Sequence, residues 1–146
     1  MSSAADRARG LAHKSESDFV IARLGFEHKK ALDMVCFHLQ QGIEKLLKAL
    51  LECRGIEYPH THNLVTLIDL AERNFPTLEQ FRTWLPDYIP YAVHVRYDEV
   101  LYPDAEETQS ALIQAEEFRR TVHALLAGAG VSLQVRPDPQ SPATAE

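Results

Sequence analysis

Phe37-His38-Leu39-Gln40-Gln41-Gly42-Ile43-Glu44-Lys45-Leu46-Leu47-Lys48-Ala49-Leu50 is the stretch whose period decides the fold. Extended on both sides, its apolar positions are Val35, Leu39, Ile43, Leu46, Leu47, Leu50 and Cys53. They recur at steps of three and four, the signature of one helical face turned to a core. Good helix formers (Glu44, Lys45, Lys48, Ala49, Glu52) fill the gaps. Glu44 and Lys48 make a favourable pair one turn apart. Gly55 stands where a left-handed residue would stop the helix. The pattern predicts a long helix over 29–54, the longest in the chain and the spine of its fold.

Working outward, 15–24 reads as a first helix with Phe19 and Ala22 inward, and Gly25 ends or bends it. Ser15 and Ser17 are cap candidates, and Ser15 with Asp18 makes an acidic variant of the capping box. Residues 1–14 read as a flexible arm. Pro59 forces extended backbone before a third helix, capped by Thr61 or Asn63 and facing Leu64, Leu67, Ile68 and Ala71 inward. Pro76 breaks it. Pro86 and Pro90 kink or split a fourth segment carrying Leu78, Phe81, Leu85, Ile89 and Val93. Asp104 or Thr108 starts a last helix with Leu112, Ala115, Phe118, Val122 and Leu125 on its stripe. The three prolines of 131–146, among few apolar residues, read as part of a disordered tail over 128–146. No stretch alternates as a strand does. An all-α, up-and-down bundle of four to five helices follows, over 15–127.

The chain has 146 residues, enough for one domain, and 45% of them are hydrophobic. Fifteen basic against 21 acidic residues leave a net charge of −6, which argues against a broad surface for nucleic-acid phosphates. Cys36 and Cys53 are 17 positions apart on one helix, roughly 25 Å. A disulfide needs Cα atoms within about 7 Å. A reducing, cytoplasmic setting fits. No signal-like or membrane-spanning run occurs.

His38, Gln41, Lys45 and Lys48 fall along one edge of the central helix. Such an edge is either a solvated face or a polar strip suited to phosphate or base contacts. His60 and His62 lack further ligands at metal spacing, so neither a metal nor a cofactor is expected. Asp98, Glu99, Asp104, Glu106 and Glu107 read as a solvated acidic face. Both cysteines read as packing residues. Trp84 and Tyr88 are either core or interface.

Four pieces in order resemble the HEPN family. His38, Gln40-Gln41, Glu44-Lys45 and Leu47-Lys48-Ala49 are similar to its long-helix motif. Gly55 through Leu64, with Thr61-His62-Asn63-Leu64, is similar to its connector and Thr-His-x-Leu helix start. Arg96-Tyr97 resembles its Arg-Tyr-Pro element, and Ser17-Asp18-Phe19 its first helix. The resemblance implies a homodimer, a nucleotide or RNA ligand, and pairing with a minimal nucleotidyltransferase in a toxin–antitoxin-like system. It implies a ligand groove of His38, Gln41, Lys45, His62, Arg96 and Tyr97. Ribonuclease-active members carry His four to six residues after the arginine. Here Arg96 is followed by Tyr97, Asp98, Glu99, Val100, Leu101, Tyr102 and Pro103, and His94 lies on the wrong side. No catalytic residue is therefore assigned, and the expectation is a binding module more than an enzyme. The alternative is an RNA endonuclease using Arg96 with a non-standard acid–base partner. Val93, Tyr97, Leu101 and Tyr102 are apolar enough to suggest a dimer contact.

Overall fold

The structure, a computed structural model, describes residues 3–93 (the Val93 side chain excepted) and 102–133. Five α-helices make it up: α1 (Ala4–Glu27), α2 (Leu32–Cys53), α3 (Leu64–Glu72), α4 (Ile89–Val93) and α5 (Ala105–Gly128). Two 3₁₀ turns, Pro76–Phe81 and Leu85–Tyr88, carry the chain from α3 to α4. No strand occurs among the described residues. The all-α reading holds.

α2 is the centre. It touches α1, α3, α4 and α5, and its contact with α1 is the most extensive between any two elements. Thirteen of its 22 residues are buried, including Leu39, Ile43, Leu46, Leu47, Leu50 and Leu51. It runs unbroken through Gly42. It is not the longest helix, however: α1 and α5 have 24 residues each. At its end Gly55 adopts φ +67, a left-handed conformation that any side chain would strain. The Ile56 N–H then turns back to the Leu51 carbonyl at 2.9 Å, a Schellman closure.

Residues 4–14 are not an arm; they are the first half of α1. Ser3 and Asp6 form the capping box, with the Ser3 hydroxyl accepting from Asp6 N at 3.1 Å. The local reason is alanine: Ala4, Ala5, Ala8 and Ala12 favour helix, and Ala8 and Ala12 are buried. Ser15 is no cap either. It lies buried in mid-helix, and its hydroxyl donates to the Gly42 carbonyl at 2.8 Å. Gly25 does not end α1, which continues to Glu27.

The remaining boundaries follow their side chains. Asn63 caps α3 by accepting from Val65 N at 2.9 Å. Asp104 caps α5 by accepting from Glu107 N at 2.7 Å. The prolines split the fourth segment into the two 3₁₀ turns and α4. Trp84 and Tyr88 belong to the core: Phe81, Trp84 and Phe118 stack edge to face, and Tyr88 donates to the Ala111 carbonyl at 2.6 Å. The expected tail starts too early. Val131 is buried, and the Arg9 guanidinium donates to the Ser132 carbonyl at 2.8 Å. α2 starts without a cap of its own; its Leu32 N–H donates to the Tyr102 hydroxyl at 3.1 Å.

α1 approaches α2 most intimately at Gly42. A Cβ there would lie 2.7 Å from Cε2 of Phe19, a ring with no exposed surface and little freedom to move. Gly10, in exposed α1, has nothing within 4 Å of the same position. Gly10→Ala is therefore expected to stabilise the fold by about 0.5–1 kcal/mol. Gly42→Ala is expected to destabilise it, because overpacking costs about 1–3 kcal/mol. That exceeds the about 1 kcal/mol from alanine's helix preference. Urea unfolding of both variants checks the opposite signs.

Candidate functional site

Nine of the 22 residues of α2 are half-buried, and six of them, Phe37, His38, Gln41, Lys45, Lys48 and Glu52, fall in one line. α1 borders this line on one side. The connector 54–63 and the start of α3 border it on the other.

A buried carboxylate stands on each bank. On α1, Asp18 accepts from His38 Nδ1 at 2.8 Å and from Lys45 Nζ at 2.6 Å. Within α2, Glu44 accepts from His62 Nδ1 at 2.9 Å and from Lys48 Nζ at 3.0 Å. The side chains of Asp18 and Glu44 are only 9% and 5% exposed. At that burial an unpaired carboxylate would be costly, so each one needs its lysine and its histidine as partners. Gln40 ties Gln41 and the connector to the Glu44 half. Its amide donates to Glu44 at 3.1 Å and to the His62 carbonyl at 3.3 Å, while it accepts from Gln41 at 2.6 Å.

The site is thus a strip of donors held in place by anions behind it. Each lysine spends one N–H on its carboxylate and keeps others for a ligand. Each histidine has Nδ1 committed, which leaves Nε2 as the free ring nitrogen. At the far end Glu52 accepts from Arg7 and from the Tyr58 hydroxyl, both at 3.0 Å, beside a cleft of about 440 Å³ that also includes His60. The arrangement can hold an anionic group or hydrogen-bond a base edge. Among the described residues no three metal-ligating side chains gather. Burial pushes the Cys36 thiol up to about 11, so it is a packing group and no nucleophile.

Of the residues expected to form the groove, His38 and Lys45 share Asp18, while Gln41 and His62 belong to the Gln40–Glu44 cluster; both clusters lie along the same line of α2. Arg96 and Tyr97 lie outside the described residues, as do His94, Asp98 and Glu99. Sequence reading places Asp18 and Gln40 in the family motifs but not in the site. It takes Asp18 as part of a capping box with Ser15 and of the first-helix motif, and neither reading gives it a partner on α2.

The profile of the HEPN domain family matches residues 8–125. The chain belongs to the HEPN family. No curated protein and no solved structure matches it. HEPN domains are nucleotide-binding or ribonuclease-like modules, and they often dimerise. Among the described residues no helix is long and apolar enough to cross a membrane. The strip on α2 contains His38, Gln41, Lys45 and Lys48 of the quoted HEPN long-helix motif, and the connector's His62 is pinned to Glu44 behind it.

A second polar network joins α1 to α5 on the outside of this HEPN bundle. Arg119 donates to both oxygens of Glu16 at 2.7 and 2.9 Å, and Arg23 to Glu116 at 2.6 Å. Burial alone would raise the Glu16 carboxyl, but the Arg119 contacts outweigh it and hold it below its usual range. Beside them burial, helped by the Arg119 guanidinium, holds His123 below its usual 6.5, and its Nε2 is buried without a hydrogen-bond partner.

Two outcomes follow. Asp18→Asn leaves Lys45 facing no anion and is expected to cost about 1–3 kcal/mol in urea unfolding. Lys45→Met combined with it should show a coupling of about 1 kcal/mol or more in a double-mutant cycle. His123 gives a pH effect of definite sign. The unfolded chain takes up a proton near 6.5 that the folded protein refuses, so this group's contribution falls as pH drops below about 6.5. The melting temperature should therefore fall more steeply between about pH 7.5 and 5.5 in the parent chain than in His123→Leu. Equal slopes would refute the assignment.

Proposed function

We propose that this HEPN domain is a binding module whose α2 strip receives the phosphate and base of a nucleotide or of RNA. Arg96 and Tyr97 complete the groove in this reading. The domain works as a cytoplasmic homodimer beside a minimal nucleotidyltransferase, in a toxin–antitoxin-like pair. One observation carries the reading. His38, Gln41, Lys45 and His62 are fixed along one strip by Asp18, Gln40 and Glu44, with donors left over. Fixed cations and amides favour recognition, because little side-chain entropy remains to be lost on binding.

The ribonuclease reading draws on the same strip, since a carboxylate-held histidine such as His38 is a plausible proton acceptor. Against it stands the absence of His in the four to six positions after Arg96. General acid–base groups contribute about 10²–10⁴-fold and must sit within hydrogen-bond reach of the proton they move. No such placement relative to Arg96 supports His38.

Titration with a fluorescent ATP analogue tests the binding reading. Saturable binding is expected, and Lys45→Ala should weaken it about 10-fold or more, the effect of one charge-assisted hydrogen bond. No saturable binding up to millimolar analogue would sink it. Incubation with unstructured RNA is expected to give no cleavage. Cleavage that vanishes in Arg96→Ala would replace the binding module with the endonuclease.

A further inference from the structure

We infer that a second copy of this chain docks antiparallel along the outer face of α1, on a two-fold axis passing between Val20 and Ile21. The inference rests on the homodimer reading above and is independent of the ligand strip. Three of the five exposed large apolar side chains among the described residues sit together on this one helix: Val20 at 42%, Ile21 at 50% and Leu24 at 48% exposure. They lie opposite Ala8, Ala12, Phe19 and Ala22, which face the core. A fourth, Ile113, is one turn from Glu116 on α5 and extends the apolar surface past the Arg23–Glu116 ion pair. Three large apolar side chains adjacent on one helix face make a contiguous patch, the feature that marks interaction surfaces.

The occupant is argued from the order of side chains along the face. A two-fold axis between positions 20 and 21 sets Val20 against the partner's Ile21. It sets Leu24 against the partner's Ser17, a large residue over a small one. At both ends it sets Lys14 against the partner's Glu27. All of these are exposed, and neither Lys14 nor Glu27 has an ion pair among the described residues. Sliding the register by three residues would bring Lys14 to the partner's Lys30. So one register buries the apolar residues and satisfies both charges twice, as an isologous contact requires. The paired positions, Lys14 to Glu27, span about 20 Å of helix. A contact of that length belongs with the small, weak interfaces, so the dimer should dissociate in the micromolar range.

Light scattering and sedimentation of the full chain over about 1–100 µM test this. The expected result is a particle of twice 16.5 kDa at the upper concentrations. Ile21→Glu is expected to give the 16.5 kDa monomer with unchanged helical circular dichroism and melting. Lys14→Glu and Glu27→Lys each place like charges at both ends and should weaken the dimer about 5-fold or more, while the double reversal restores it. These surface variants keep the test open if Ile21→Glu fails to fold. A parent chain that stays monomeric up to about 100 µM overturns the face and the homodimer reading together. A dimer that survives Ile21→Glu, or a double reversal that recovers nothing, overturns this face and leaves the homodimer standing.

Discussion

With no side chain at Gly42, α1 and α2 come within reach of each other at one point, and much else is set by that distance. The Phe19 ring occupies the space a Cβ would take. One turn before it, Ser15 spends its buried hydroxyl on the Gly42 carbonyl. Next to it in sequence, Asp18 reaches across to His38 and Lys45, residues two turns apart on α2. These three α1 residues act as one device. Moving the helices apart to admit a methyl group would lengthen two hydrogen bonds and the Lys45–Asp18 ion pair at once. Because packed interiors deform little, the polar strip inherits its geometry from an apolar contact on the far side of the same residues.

The central helix was legible because its signals are local. The apolar period, Gly55 and the Glu44–Lys48 pair all lie within a few turns of one another, and each was found where expected. The Asn63 and Asp104 caps and the proline breaks are local for the same reason. α1 was read short because its first half buries alanines rather than large apolar residues, so the hydrophobic stripe faded while the helical propensity stayed high. The Ser15–Asp18 spacing fits a capping box and a buried polar ladder equally well, and only the neighbouring helix distinguishes them. Val131 was assigned to a tail because its burial depends on the chain turning back onto α5 after Gly130. Its N–H reaches Leu126 O at 2.9 Å.

The candidate site divides along the same line. His38, Gln41 and Lys45 were legible as one edge of a helix, since helical spacing alone puts them there. What the edge does depends on Asp18, 20 residues upstream of His38, and on His62, 18 residues downstream of Glu44. Neither separation has a periodic signature. The resemblance to HEPN motifs supplied His62, which spacing could not.

The carboxylates behind the strip also set what it can bind. Asp18 and Glu44 neutralise Lys45 and Lys48, so the strip carries little net positive charge while its histidines are neutral, and the chain as a whole carries −6. A free phosphate approaching it gains no large long-range attraction, unlike one approaching a basic groove. It would also have to share ammonium protons already given to a buried acid, and pulling the lysine away would strand that acid in the interior. Affinity must then come from short-range, oriented contacts. On the proposed reading, the Gln41 amide and the ring nitrogens of His38 and His62 reward a ligand that has a base as well as a phosphate. The charge balance of the strip therefore favours, on the proposed binding reading, a whole nucleotide over inorganic phosphate. The same balance disfavours sequence-blind binding to long RNA, where affinity grows with the number of uncompensated cations.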